Sequence, residues 1–210
     1  MSEHPIIFSG EMVKAILAGR KTQTRRVVKP QPKGLDPSLA PTGAFMDESG
    51  TRPPLWFING KWRKCPYGQP GDLLWVRETH HIDQYPDGAL DAHGNPGTVH
   101  YRADTDVISQ SWEGQWRPSI FMPRWASRIT LEVVSVRVEQ VQSISEDDAK
   151  DEGVEPIMHD TGGFEPWDAP CPEVPNYAEG FAALWDSINA KRGYSWQSNP
   201  WVWVVEFRQT

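Results

Sequence analysis

One segment near the start of the chain concentrates the side chains that could bind an anion. Residues 10–33 contain seven basic residues and one acidic residue, whereas the whole chain of 210 residues has 21 basic and 28 acidic residues and a formal net charge of −7. Residues 139–179 are the acidic counterpart, with twelve acidic residues and Lys150 as their one base. This balance argues against a protein whose whole surface grips nucleic acid. We expect residues 10–33 to anchor any anionic ligand.

The basic segment also carries hydroxyl and amide side chains at strand spacing. In residues 20–26, an extended backbone places Thr24 on one side of the strand and Lys21, Gln23 and Arg25 on the other. A direct contact between Lys21 and Thr24 would therefore need a bend or a bulge in the strand.

Histidine and cysteine are the residues to consider for a metal site. Four of the six histidines lie in residues 79–118, among them the adjacent pair His80 and His81. Adjacent residues of a strand face opposite ways and no HxxxH spacing occurs, so the pattern does not favour a metal site. Cys65 and Cys171 are too few for a cysteine-based zinc site. We predict no metal and no cofactor.

The elements that must position these residues are short. Ser9 or Gly10 can cap a helix that Gly19 ends, directly before the basic run, and Ser145 can cap a second helix that ends at Gly153. Residues 177–190 predict a third helix, and strands are predicted at 73–78, 129–141 and 201–207. Within residues 129–141 the apolar side chains occupy first odd-numbered and then even-numbered positions, so they change from one face of the strand to the other. This change predicts a bulge or a strand shared between two packing surfaces.

This mixture of elements has no repeating strand–helix–strand pattern. It predicts an α+β fold with a small curved β-barrel, two to three flanking helices and long loop insertions. We expect a single domain over residues 1–210, with insertions at about 30–65, 79–125 and 155–176. No apolar stretch approaches the ~20 residues that span a bilayer, and no leader pattern is seen, so we expect a cytoplasmic protein without a membrane partner.

The motifs resemble those of a known family. The run Ile16 to Arg26 resembles the signature of the ASCH superfamily, whose fold is related to the PUA RNA-binding barrel. The block Gly71 to Val76, the strand of residues 129–141 and the closing strand of residues 201–207 resemble further blocks of the same family. Residues 121–125 and 199–201 resemble the longer ASCH proteins of bacteriophage and prophage genomes.

The resemblance implies an activity. The family includes an enzyme that hydrolyses the acetyl amide of N4-acetylcytidine with a lysine base, a threonine nucleophile and a glutamate proton donor. Matched motif to motif, these roles fall on Lys21, Thr24 and Glu152, although Asp151 and Glu155 are close to the last position. The predicted substrate-binding residues are Arg20, Arg25, Arg26, Arg77 and Glu78.

The implied roles make a definite demand on Lys21. A threonine hydroxyl needs a base within hydrogen-bond reach and a donor for the oxyanion. Lys21 can be that base only if its pKa falls from about 10.4, and both burial and neighbouring cations lower the pKa of a lysine. Arg25 or Arg26 could stabilise the oxyanion or hold a phosphate.

Two other functions are compatible with the same fold. The first is a non-catalytic module that binds single-stranded RNA or DNA, in which Lys21, Arg25 and Arg26 contact phosphate and tryptophans stack on bases. The second is a ribonuclease with His80 or His81 as its candidate residue. The predicted partner is a modified pyrimidine nucleoside or nucleotide, or a single-stranded nucleic acid. Of the eleven tryptophans, Trp75, Trp201 and Trp203 are predicted to be core residues.

Overall fold

The computed structural model describes residues 1–32, 56–58, 61–104, 115–160 and 173–210. Helices and strands alternate irregularly along these ranges. The helices are α1 (Gly10–Leu17), α2 (Glu146–Asp151) and α3 (Tyr177–Asn189). The strands are β1 (Glu3–Ile7), β2 (Gln23–Val27), β3 (Trp56–Ile58), β4 (Lys61–Arg63), β5 (Leu73–Arg77), β6 (His80–Gln84), β7 (Gly97–Tyr101), β8 (Thr130–Gln140), β9 (Ile157–Asp160), β10 (Glu173–Asn176) and β11 (Trp201–Gln209).

The described strands form one five-stranded sheet in the order β1-β5-β8-β11-β2 and three two-stranded hairpins, β3–β4, β6–β7 and β9–β10. The α+β class is therefore confirmed. Among the described strands, no pairing joins β1 to β2 and closes the sheet, so the predicted barrel is not confirmed. The chain divides into two compact units. The predicted single domain and its insertions stay a prediction, and much of each insertion lies outside the described residues.

The first unit comprises Met1–Gly19, Pro66–Val134 and Phe207–Thr210. Its strand β1 runs parallel to β5, with Ile6 beside Val76, and β5 runs antiparallel to β8, with Leu74 beside Leu131. Each of these four side chains is at most 1% exposed, so they form a dry core. Helix α1 begins as predicted at Ser9, whose hydroxyl accepts a hydrogen bond from the Met12 N–H.

The second unit comprises Arg20–Cys65 and Ser135–Glu206. Strand β11 runs antiparallel to β2, with Val202 beside Val27 and Val204 beside Arg25. One face of β11 packs on the two helices of this unit through a buried apolar cluster: Val141, Ile144, Ala149, Val154, Phe181, Trp185, Val202 and Val204.

Strand β8 contributes residues to both units, and its apolar pattern changes where the units divide. Leu131 and Val133 are buried, Val134 is exposed, and Val138 is the next buried residue. The first unit ends at Val134 and the second resumes at Ser135. The buried side chains thus change from odd-numbered to even-numbered positions along β8, with Val138 as the buried residue of the even-numbered set. A strand shared between two packing surfaces, or a bulge, stays a prediction.

Candidate functional site

A buried ion pair connects the basic run to the C-terminal end of α2. Lys21 lies just before β2 and forms an isolated bridge with Glu152. The Lys21 ammonium donates hydrogen bonds to Glu152 Oε2 at 2.7 Å, to the Glu152 carbonyl oxygen at 2.8 Å and to the Gln23 carbonyl oxygen at 2.8 Å. The exposed fractions of the Lys21 and Glu152 side chains are 0% and 4%. The pair is therefore shielded from solvent.

Helix α2 is fixed in place at both ends. At its start, Ser145 Oγ accepts a hydrogen bond from the Asp148 N–H at 3.1 Å, which is the predicted cap. At its end, the Thr22 N–H donates to the Asp151 carbonyl oxygen at 2.8 Å, so the chain before β2 is tied to the last turn of α2. This backbone link holds Lys21 and Glu152 opposite each other.

Arg25 is the second cation at Glu152. Its guanidinium is fully buried and donates to Asp148 Oδ2 at 2.9 Å, to Glu152 Oε1 at 3.4 Å and to Glu139 Oε2 at 3.4 Å. It also donates to the side-chain oxygen of Gln23. Because every charged partner of Arg25 is a carboxylate, the arginine neutralises acidic residues from α2 and β8.

Further charges extend this arrangement along β8 and β11. Arg137 donates to Glu139, to Glu206 and, at 3.1 Å, to Asp148 Oδ1. We use the name charge cluster for three cations and four carboxylates of the second unit, together with one amide: Lys21, Arg25, Arg137, Glu139, Asp148, Glu152, Glu206 and Gln23. The cations and carboxylates are almost balanced, so the cluster is internally neutralised.

The electrostatics of the cluster act on Lys21 in the direction that a base requires. Burial lowers the pKa of Lys21 below its ordinary value; the negative charge and hydrogen bond of Glu152 oppose this, and Arg26 and Arg25 lower the pKa further. Partial burial acts to raise the pKa of Asp148, but the hydrogen bond from Gln23 and the charges of the arginines outweigh it and lower that pKa.

Thr24 lies on the other face of β2. Side chains alternate along a strand, and Gln23 and Arg25 both reach the charge cluster, so Thr24 and Arg26 share the opposite face. Thr24 is 3% exposed and sits beside Val205 of β11. The hydrogen bonds found between described residues do not include one between Lys21 and the Thr24 hydroxyl. Strand alternation therefore places the Thr24 side chain on the face of β2 opposite the charge cluster that contains Lys21, as the sequence predicts.

Three of the sequence-predicted site residues, Lys21, Arg25 and Glu152, meet in the charge cluster. Arg20 lies at the surface, where it donates to Glu155 Oε1 at 2.9 Å. Acidic residues of 139–179 pair with Arg20, Lys21 and Arg25, and the expectation that residues 10–33 anchor an anionic ligand stays a prediction. The substrate-binding roles of Arg20, Arg25 and Arg26 stay predictions, and a phosphate could reach Arg25 only by displacing carboxylates.

The other two predicted substrate-binding residues, Arg77 and Glu78, belong to the first unit. Glu78 is 2% exposed and accepts hydrogen bonds from Arg128 at 2.9 Å and 3.1 Å. Burial raises the pKa of Glu78, while Arg128 opposes that shift. The Arg77 guanidinium lies 5.2 Å from the centre of the Trp75 ring. Trp75 is half-buried, whereas Trp201 and Trp203 are core residues as predicted.

The histidine pair of β6 faces two ways, as predicted. His80 is 0% exposed, its Nδ1 lies 3.2 Å from the Glu78 carbonyl oxygen, and its Nε2 is buried with no hydrogen-bond partner among the described residues. His81 Nε2 lies 2.8 Å from Asp83 Oδ1, and His100 Nε2 lies 2.8 Å from Asp83 Oδ2. Within the described ranges, no group of three or more His, Cys, Asp or Glu residues is placed to hold a metal ion.

The charge cluster also contains five residues that were not predicted from the sequence: Gln23, Arg137, Glu139, Asp148 and Glu206. Gln23 could have been predicted, because strand alternation places it on the same face of β2 as Arg25. Asp148 could have been predicted too, as an acidic residue one helical turn before Glu152. The positions of Arg137 and Glu139 depend on the pairing of β8, which no local pattern specifies. No helix in the described part of the chain is long and apolar enough to cross a membrane.

Comparison with protein-family models gives no match, and comparison with curated proteins gives none either. Among solved structures, an ASCH domain from Lactobacillus crispatus JV V101 matches with 13% sequence identity and a TM-score of 0.37, over 99% of this chain and 79% of that chain. The chain is thus similar to a solved member of the family that residues 16–26 resemble.

Proposed function

We propose that this protein hydrolyses the N4-acyl amide of a modified cytosine nucleoside or nucleotide, releasing the unmodified cytosine nucleoside or nucleotide and a carboxylic acid. The observation that carries the proposal is the buried Lys21–Glu152 contact of 2.7 Å, which joins the two titratable groups that the reaction needs. The resemblance of residues 16–26 to the ASCH signature supports the choice of reaction, and Thr24 provides the hydroxyl.

The proposed reaction has two stages. Lys21 as a neutral amine takes the Thr24 proton while Thr24 Oγ1 attacks the acyl carbon, and Glu152 as a neutral acid gives a proton to the departing N4 amine. The acyl C–N bond breaks, leaving an ester on Thr24. Water then attacks the ester carbon and gives a proton to the Glu152 carboxylate. The bond from the acyl carbon to Thr24 Oγ1 breaks, and the Lys21 ammonium returns its proton to Thr24 Oγ1. The acyl group leaves as a carboxylic acid, and all three side chains regain their starting proton states. Arg26 shares the Thr24 face of β2, which favours Arg26 over Arg25 as the arginine that stabilises the oxyanion in the proposed reaction.

The proposal makes a structural demand as well as a chemical one. Lys21, Thr24 and Glu152 are 2%, 3% and 4% exposed, so the acyl group must reach buried side chains. Lys21 must also move from its hydrogen bonds with Glu152 towards Thr24 when substrate binds. Catalytic hydrogen bonds are often long or absent in substrate-free proteins and form in the substrate complex.

The test is release of acid from N4-acetylcytidine and from related N4-acylated nucleosides, followed with Lys21→Met, Glu152→Gln and the wild type. Lys150→Met is the matched control, because Lys150 is an exposed cation on α2 that pairs with Asp147. We expect turnover by the wild type and the control, and a loss of at least about 100-fold in kcat for each of the other two. Unchanged turnover in Lys21→Met would refute the assignment.

A second function, binding of single-stranded nucleic acid, is favoured by a segment of the first unit. Residues 115–128 contain three arginines and no acidic residue, in a chain of net charge −7. Phe121 is 68% exposed and Trp125 is 37% exposed, so aromatic rings are available for stacking. Arg124 pairs with Glu3 and Arg128 pairs with Glu78, which leaves Arg117 as the arginine of this segment without a described ion pair.

Fluorescence anisotropy with a labelled oligonucleotide separates the two functions. If the binding function holds, Phe121→Ala and Arg117→Ala weaken binding, and the wild-type affinity falls with salt at a logarithmic slope of about −0.7 per neutralised phosphate. If neither variant changes the affinity, residues 115–128 are not the binding surface.

A further inference from the structure

The Glu152 carboxylate lies between two cations at unequal distances. Its Oε2 accepts from Lys21 Nζ at 2.7 Å, and its Oε1 accepts from Arg25 Nη1 at 3.4 Å. A contact this short between an ammonium and a carboxylate favours the charged forms of both groups. The proposed reaction needs the neutral forms, an amine at Lys21 and a carboxylic acid at Glu152. One proton transfer, from Lys21 Nζ to Glu152 Oε2, produces both species at once.

We propose that Arg25 is a positioning residue that fixes where the shared proton lies between Lys21 and Glu152. The inference rests on the proposed function, because the pair whose proton Arg25 positions is the proposed catalytic pair, and Arg25 holds that pair in its resting state. A positive charge at Oε1 stabilises the carboxylate, so it holds the pair as ammonium and carboxylate. Arg25 also repels the Lys21 ammonium, but that ammonium lies at the other carboxylate oxygen. The attraction to Glu152 therefore outweighs the repulsion.

Arg25 is held rigidly enough to perform this role. Its guanidinium donates to the Gln23 side-chain oxygen and to Asp148 Oδ2, while Gln23 Nε2 donates to Asp148 Oδ1 at 2.9 Å. These three side chains form a closed ring of hydrogen bonds. The Phe181 ring of α3 lies 5.8 Å from the guanidinium carbon and excludes water on that side.

The other charges around the pair come from every element packed against it. Strand β2 contributes Arg25 and Arg26, and α2 contributes Asp148 besides Glu152 itself. Strand β8 contributes Arg137 and Glu139, and β11 contributes Glu206. Among the described residues, Arg25 is the cation other than Lys21 that forms a hydrogen bond with the Glu152 carboxylate. It is therefore the side chain whose removal should move the proton most.

The experiment follows the proton directly by NMR. Glu152 is observed through its side-chain carboxyl ¹³C and Lys21 through its Nζ ¹⁵N, over a pH titration of the full chain. The variants are Arg25→Lys, which keeps a charge but cannot form the fork of hydrogen bonds, and Asp148→Asn, which weakens the anchor of Arg25 and keeps its shape. Lys150→Met is the control. Circular dichroism establishes that each variant is folded at the pH values used.

We expect the Glu152 carboxyl ¹³C signal, compared at the same pH, to move towards that of a neutral acid in Arg25→Lys, and in the same direction by less in Asp148→Asn, with no change in Lys150→Met. The acidic limb of the wild-type pH–rate profile for N4-acetylcytidine should move with it. Turnover by the wild type together with an unmoved Glu152 signal in both variants would overturn the role of Arg25 and leave the proposed function standing. A shifted signal in a protein without turnover would support the role of Arg25 and refute the proposed function.

Discussion

The Lys21–Glu152 pair makes a prediction about stability that does not depend on any substrate. In Glu152→Gln the side chain keeps its shape but loses its charge, so the Lys21 ammonium stays buried without a carboxylate. Both side chains are almost completely buried, at 0% and 4% exposure, so solvent cannot compensate for the lost partner. Breaking a buried ion pair by removing one partner costs about 3–5 kcal/mol in the free energy of unfolding.

The pH dependence of that loss has a definite sign. Burial lowers the pKa of Lys21 in the folded protein below its ordinary value of 10.5, and removing the Glu152 charge removes the main influence that opposes this shift. Between the folded-state pKa and 10.5 the unfolded chain binds more protons than the folded one, so stability rises with pH in this window. The deficit of Glu152→Gln relative to the wild type should therefore shrink as the pH rises, because Lys21 then folds as a neutral amine.

Urea unfolding followed by tryptophan fluorescence measures the effect. The matched control is Glu155→Gln, which breaks the pair of Arg20 and Glu155, whose side chains are 50% and 81% exposed. That exposed pair should contribute less than about 1 kcal/mol. The double variant Lys21→Met/Glu152→Leu removes both charges and should recover most of the stability that Glu152→Gln loses. A Glu152→Gln protein as stable as Glu155→Gln at pH 7 would refute the buried ion pair.

Three further predictions concern other buried or capping groups. Arg128→Met leaves Glu78 buried without its cation and should cost about 3 kcal/mol in urea unfolding at pH 7, less at lower pH because Glu78 then folds as a neutral acid. Burial holds the pKa of His80 below 6.5, so the unfolded chain gains a proton as the pH falls below 6.5; wild-type stability should fall there by up to about 1.4 kcal/mol per pH unit, and His80→Gln should reduce that slope. Ser145→Ala removes the hydroxyl that accepts the Asp148 N–H and should cost about 1 kcal/mol, whereas Ser145→Asp should retain the cap.

The features that local sequence determines were predictable. The caps at Ser9 and Ser145 depend on side chains three residues from their partners, so the starts of α1 and α2 could be placed from the sequence. The burial of Leu131 and Val133 in the first half of β8 could be predicted from their odd-numbered spacing, because strand alternation is a local property. The faces of β2 followed from the same alternation, which separated Thr24 from Gln23 and Arg25.

The pairing of distant charges was not predictable from composition. Lys21 and Glu152 are 131 residues apart, and Gln23 and Asp148 are 125 residues apart. Counting charges showed an excess of bases in one segment and of acids in another, but it could not show that the two segments fold against each other. Because they do, Lys21 and Arg25 are paired with carboxylates in the interior, whereas Arg20 is paired with Glu155 at the surface. Closure of the sheet also depends on distant strand pairing, which explains why the expected barrel is not confirmed.

The most direct test of the proposed function compares acetate release from N4-acetylcytidine by the wild type, Thr24→Ser and Thr24→Val. Serine keeps a hydroxyl at this position, whereas valine replaces the hydroxyl with a methyl group of similar size. If Thr24 is the nucleophile, Thr24→Ser retains measurable turnover and Thr24→Val loses at least about 10³-fold in kcat. Turnover by Thr24→Val equal to that of the wild type would contradict the proposed mechanism.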